Sequence, residues 1–425
     1  MSERVDLVVV GGGPAGAVSA WLAARDGQRV VLIDPGEAPS RIEGTSPRLA
    51  AWLQREMVPD IGAILTRAAR RSIWSGTAHE GNREWLVARP ALDGRLREAA
   101  VAAGARLIAD TAAPAAGGAR LGAGGLIEAP LVLDARGRRG GRRGAIRRGP
   151  PTVSIGAWLE GAAETAPQTL VMPFDEGWAW LACPGGGKSW LQITLAAAGP
   201  MAAAPAERLS RCLALCADRL PPGSRLAAAP MVIRESAPVL SALPDDLSVL
   251  PVGDAAAAMD PLSGHGMFWA VSGALAAAAI RRTLAARPDG GGKDLARRFL
   301  EQRMGALFLR QARIGRDFIR AETGRSALPF WRARGSFPDD EPAHPPAGPI
   351  TTRRQVIVDR GQLSECEVLV SPRSPAGVAW FGGLPAAELW RAHAGGKGPA
   401  DLLRGFGPGA AGFAAWLETE MAAPA

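Results

Sequence analysis

The run Leu7-Val8-Val9-Val10, broken by Gly11-Gly12-Gly13-Pro14-Ala15-Gly16, constrains this chain more than any other segment. Four consecutive apolar residues, three of them β-branched, suit a strand buried on both faces. The glycines turn the chain, and Ala15 to Arg25 then reads as a helix. Such a turn aims unpaired backbone N–H groups and the positive end of a helix at one point, a seat for pyrophosphate. Gly11 makes the turn, Gly13 and Ala15 admit phosphate to the backbone, and Gly16 lets helix and strand lie close. A second strand, Arg29 to Ile33, ends in Asp34. That is about 20 residues past the glycines, where a carboxylate accepts hydrogen bonds from ribose hydroxyls. A dinucleotide-binding βαβ unit is expected.

A second glycine signal selects the dinucleotide. Ser248 to Val252 reads as a short buried strand carrying Gly253-Asp254 at its end, followed by Pro261-Leu262-Ser263-Gly264-His265-Gly266-Met267. Asp254 can bind the hydroxyls of a ribityl chain. Gly264 and Gly266 permit the backbone to approach a flat ring, and a helix starting there, running to about Ala278, points partial positive charge at it. The pair of signals predicts one FAD, tightly and noncovalently bound, with Gly11, Gly13, Ala15, Gly16, Asp34, Asp254, Pro261, Gly264, Gly266 and Met267 among its contacts.

These segments, with Asp134-Ala135-Arg136-Gly137, resemble the flavoprotein monooxygenase superfamily, which includes p-hydroxybenzoate hydroxylase-type enzymes, geranylgeranyl reductases and tryptophan halogenases. The resemblance implies that Arg89, in Val87 to Asp93, lies near the FAD. It also implies that Arg41 to Arg48, with Ser46, passes beside the flavin. The expected fold is α/β: a Rossmann-like FAD-binding domain, an antiparallel-sheet substrate domain and a small α+β C-terminal domain. The expected boundaries are 1–150 and 246–325 for the FAD domain, 151–245 for the sheet and 326–425 for the last unit. The sheet is read from short alternating runs, Thr152 to Glu160, Thr169 to Met172, Trp178 to Cys183 and Ser189 to Leu195, with a helix at Ala206 to Leu220.

Composition narrows the function. The net charge of +8 is carried by arginine, since lysine occurs only at 188, 293 and 397. No basic run is interleaved with aromatics, so nucleic acid is not an expected partner. The charged N-terminus leads at once into the first expected strand, so a signal peptide is not expected, and the apolar stretch 255–280 contains Asp260 and His265, so no membrane span is expected. Cys183, Cys212, Cys216 and Cys366 lack metal-ligand spacing and read as thiols of a reduced, cytoplasmic protein. No metal site is expected.

Trp178 and Trp180 fall on one face of a strand and can wall a substrate pocket, and His265 is a candidate acid–base group at the flavin edge. The stretch around the tryptophans resembles the halogenase WxWxIP signature, with Ala182-Cys183 before the proline where that signature has one residue. Halogenation needs a lysine before this stretch, and there is none. Absence of tyrosine likewise removes a phenolic proton relay.

Phe308 to Phe318, Phe330-Trp331 and Pro338 to His344 resemble the flavoproteins that mature tryptophylquinone enzymes, such as the monooxygenase of quinohemoprotein amine dehydrogenase biogenesis. That resemblance implies hydroxylation of a tryptophan side chain in a protein or peptide substrate, with NAD(P)H as a transient electron donor and O2. It leaves three alternatives open: a small-molecule aromatic hydroxylase, a flavin-dependent C=C reductase and a non-catalytic flavin-stabilised assembly factor. The C-terminal unit, outside the superfamily core, is expected to help receive a protein substrate.

Overall fold

In a computed structural model, residues 3–36, 39–141, 144–161, 164–197, 204–344 and 348–421 are described. Contacts gather the chain into two units: Met1–Ala278 with Met304–Asp340, and Ala279–Arg303 with Glu341–Ala425.

The first unit is built on a five-stranded parallel sheet in the order Val249–Pro251, Val132–Asp134, Leu7–Val10, Val30–Ile33, Arg106–Ile108. Leu7–Val10 and Val30–Ile33 are buried along their whole length, as runs without polar alternation require. The helix Pro14–Arg25 follows the first strand and buries ten of its twelve residues. Gly16 is what lets it lie so close, because a Cβ there would overlap the Gly11 carbonyl oxygen.

A second sheet of nine strands carries the runs read from the sequence, now Thr152–Glu160, Gln168–Phe174, Gly177–Gly185 and Lys188–Ala196. It also recruits Ile42–Thr45, Leu65–Trp74 and Thr77–Ala88, which lie between elements of the first sheet in the chain. Alternation gives this sheet two unlike faces. Ile155, Ala157, Leu159, Ala179, Leu181, Cys183, Leu191 and Ile193 form one core with Leu209, Cys212 and Cys216 of the helix Pro205–Cys216. The residues between them, Ser154, Trp158, Trp178, Trp180, Trp190, Gln192 and Thr194, occupy the opposite face.

The second unit holds a hairpin, Thr351–Asp359 with Gln362–Val370, turned by Arg360 and Gly361, both at positive φ as a two-residue turn demands. The helices Ala386–Ala394, Pro399–Phe406 and Ala411–Met421 close on it around Leu369, Leu389, Leu402 and Phe413. Thr283 is fully buried, and its hydroxyl accepts the Leu363 N–H at 2.7 Å.

Candidate functional site: a glycine cradle beneath a buried charge cluster

The two glycine signals meet in space. Gly253 adopts φ +64°, and a Cβ on it would lie 2.8 Å from Ala15 Cβ. Gly11 adopts φ +105°, and its Cβ would overlap the Ala135 carbonyl, so only glycine fits. Gly13 precedes the helix with no side chain capping it, leaving the first-turn N–H groups to a ligand. A Cβ on Gly13 would lie 3.1 Å from Arg89 Nη2, which brings a guanidinium to the same loop. One Asp34 oxygen accepts the Gly12 N–H at 2.6 Å; the other accepts from Gly36 N and from Arg97 Nη1 at 3.1 Å. This cradle of glycine backbone, cation and carboxylate fits a dinucleotide.

Arg89 belongs to a larger cluster. Its Nε donates to both oxygens of Asp93, one helical turn on, and its Nη1 donates to Glu43 at 3.1 Å. Glu43 Oε1 also accepts from Arg41 Nε at 2.7 Å and lies 3.7 Å from Arg234 Nη1. Burial alone would raise the Glu43 carboxyl, but Arg41, Arg89 and Arg234 reverse this and hold it well below the usual carboxylate range. Burial would also lower Arg89, yet Glu43 and Asp93 together raise it. Burial pulls Arg234 down to about 10, against the attraction of Glu43, so it remains a cation at neutral pH. Arg234 Nη2 donates to Gln192 Oε1 at 2.6 Å, and Gln192 is the cross-strand neighbour of Trp180. Arg138 donates to the Ala237 and Met259 carbonyls and lies 3.7 Å from Asp254.

The flavin-edge segment is placed as follows. Pro261 opens a short 3-10 turn capped by Asp260, whose Oδ1 accepts the Leu262 N–H at 2.8 Å. Gly264 is left-handed at φ +64°, His265 is exposed, and Gly266 starts a helix running to Ala286 with Met267 buried. Ser46 caps the helix Pro47–Glu56, its Oγ accepting the Leu49 N–H. Trp178 is 2% exposed and packs with Ile319, Phe330, Trp331, Trp180 and Leu262 of the flavin-edge segment. Among the described residues its Nε1–H has no acceptor.

Sequence reading named Arg41 only as the start of the segment beside the flavin and did not single out Glu43, Asp93 or Arg234. Two signals were present: Arg41 and Glu43 alternate on one strand face, and Arg89 and Asp93 stand one helical turn apart. Arg234 carries no local signal.

Comparison with known proteins identifies FAD-dependent relatives of this chain. A family model described as "FAD dependent oxidoreductase" matches residues 6–93. The solved structure of the peptidyl tryptophan dihydroxylase QhpG, essential for tryptophylquinone cofactor biogenesis, is 32% identical with a TM-score of 0.84, covering 99% of this chain and 100% of that one. CmlS, a flavin-dependent halogenase, shares the fold at 16% identity and TM-score 0.76, covering 99% of this chain and 96% of its own. Menaquinone reductase of Mycobacterium tuberculosis is 31% identical over 44% of this chain and 54% of its own length. The chain thus spans about half of that curated relative.

Proposed function

The chain belongs to the flavoprotein monooxygenase superfamily, and from that premise we propose that it is an FAD-dependent monooxygenase that hydroxylates a tryptophan side chain in a protein or peptide substrate. The full-length likeness to the peptidyl tryptophan dihydroxylase carries this reading. The balance is one O2 and one NAD(P)H with a proton per hydroxyl added, giving water and NAD(P)+. Bound FAD would supply the oxygen activation, with NAD(P)H as a transient electron donor. The rest is done by the protein.

The helix end at Gly13, Ala15 and Gly16 holds the pyrophosphate, and Asp34 holds the ribose hydroxyls. Arg89, kept in place by Glu43 and Asp93, adds a fixed cation beside the loop. Asp254 takes the ribityl chain. Pro261, Gly264, Gly266 and Met267, with Ser46 on the other side, frame the ring. Trp178 and Trp180 wall the substrate side and exclude water, which protects an oxidising step from leakage. His265, exposed at this edge, takes the acid–base role. The C-terminal unit, residues 326–425, helps receive the polypeptide, and the chain works in the cytoplasm.

Isotope labelling tests the reading. With labelled O2, NAD(P)H and a tryptophan-bearing peptide, one labelled oxygen should enter the product for each NAD(P)H used in coupled turnover. The alternative within the enzyme class is reduction of a C=C bond. Turnover that consumes NAD(P)H and saturates a C=C bond without incorporating label would replace the first reading with the second.

A further inference from the structure

The strand Thr77–Ala88 is paired on one side by Leu65–Trp74 along most of its length, but on the other by Ile42–Thr45 only over Trp85–Ala88. From Thr77 to Glu84 its outer edge meets no other strand among the described residues. Such an edge presents every second N–H and C=O to any extended chain laid beside it. A cleft of about 520 Å³ runs along it, lined by Pro47, Arg67, Gly81 to Glu84 and Trp85. Pro47 follows Thr45 and Ser46, where the chain leaves the sheet and turns into a helix, so the cleft continues the line of the missing strand.

The cleft carries two cations, Arg67 and Arg83, against one carboxylate, Glu84, and the Arg70 side chain lies over Gly81 beside it. Arg67, Arg70 and Arg83 are exposed, and among the described residues none forms an ion pair with a carboxylate. A β-bulge lies at the same place: Asn82 and Arg83 together oppose the single residue Ala69. The inner end adjoins the proposed substrate wall. There the Glu84 carboxylate accepts from Thr169 Oγ1 and sits over Gly44, where a Cβ would overlap it and would lie 3.6 Å from Trp180 Cζ2.

Resting on the reading of a polypeptide substrate, we propose that an acidic extended segment of that substrate adds as a strand to the open edge at Gly81 to Glu84. Backbone hydrogen bonds hold it, Arg67, Arg70 and Arg83 select its charge, and the cleft guides the neighbouring tryptophan towards Trp180.

The probe is a short fluorescein-labelled peptide of alternating Glu and Ser around one Trp, titrated by anisotropy into the FAD-loaded chain. It should bind more tightly than its Lys counterpart. The double variant R67E/R83E should weaken it by about ten-fold or more, since two attractions become repulsions, with FAD content unchanged. N-methylation of alternate peptide amides should weaken it comparably, because an added strand needs those N–H groups. Equal affinity for acidic and lysine peptides, or no response to R67E/R83E, would overturn the proposal and leave the arginines and bulge as edge protection alone. Binding insensitive to N-methylation would overturn strand addition. Heparin competing with the peptide at equal affinity would replace the acidic segment with a generic polyanion. A variant that hydroxylates the peptide as fast as the parent leaves the monooxygenase reading intact while overturning the groove. Absence of oxygen incorporation by the parent fails the former reading alone.

Discussion

Replacing Glu43 with Gln tests the charge cluster most directly. Glu43 is the one anion shared by Arg41, Arg89 and Arg234, at 2.7, 3.1 and 3.7 Å. At an effective dielectric near 20, each such contact is worth roughly 4–6 kcal/mol before desolvation, most of which desolvation cancels. Removing one partner of a buried network typically costs about 3–5 kcal/mol, because the remaining charges stay buried and here repel one another. Partial exposure lowers that figure: Glu43 is 19% exposed and Arg234 33%. Gln also keeps a carbonyl that can accept from Arg41. A loss of about 2–3 kcal/mol is therefore expected for E43Q.

The pH dependence supplies a second, independent signature. The folded-state pKa of Glu43 lies below its ordinary value of 4.5, so its stabilisation is complete above that value and is lost as pH falls from there through the folded-state value. Wild-type stability should thus fall below pH 4.5 by more than that of E43Q, and the two curves should converge in acid. Denaturant unfolding followed by circular dichroism, at saturating FAD and several pH values, reads both. An E43Q chain within about 0.5 kcal/mol of wild type at neutral pH, with a parallel pH profile, would refute the reasoning.

G16A should abolish flavin binding, because its Cβ would overlap the Gly11 carbonyl oxygen and push the helix off the strand; loss of flavin absorbance in the purified variant checks this. Burial pushes the Cys212 thiol up to about 12 and Cys216 to about 11, so neither should react with a thiol reagent at pH 8 until denaturant is added; mass mapping of the labelled chain identifies any that do. R334M should cost about 2–3 kcal/mol, since the guanidinium lies 3.8 Å from the Phe330 ring centroid and donates to the Pro151 carbonyl and Thr152 Oγ1. Denaturant unfolding measures that loss, and R334K should recover little of it, because an ammonium cannot reproduce the planar fork.

Much of this protein was legible in one dimension. Leu7–Val10, the glycine turn and Pro14–Arg25 are local: an apolar run, residues that tolerate positive φ and a small-residue helix, each read from its own neighbours. The alternating runs from Thr152 to Leu195 were readable for the same reason, since a period of two is a property of consecutive residues. Membership of Ile42–Thr45, Leu65–Trp74 and Thr77–Ala88 in that sheet was not readable, because strand pairing is settled by partners distant in the chain. Arg234 joins Glu43 from 191 positions away by way of that pairing, and nothing in Val232–Glu235 distinguishes it from a solvated strand arginine. The open edge beside Gly81 likewise exists only because Ile42–Thr45 stops at Trp85. Local conformation follows from residues that are neighbours in sequence. Where charges converge and which backbone edge stays bare depend on how far each strand overlaps its partner, and packing decides that only once the sheet has closed.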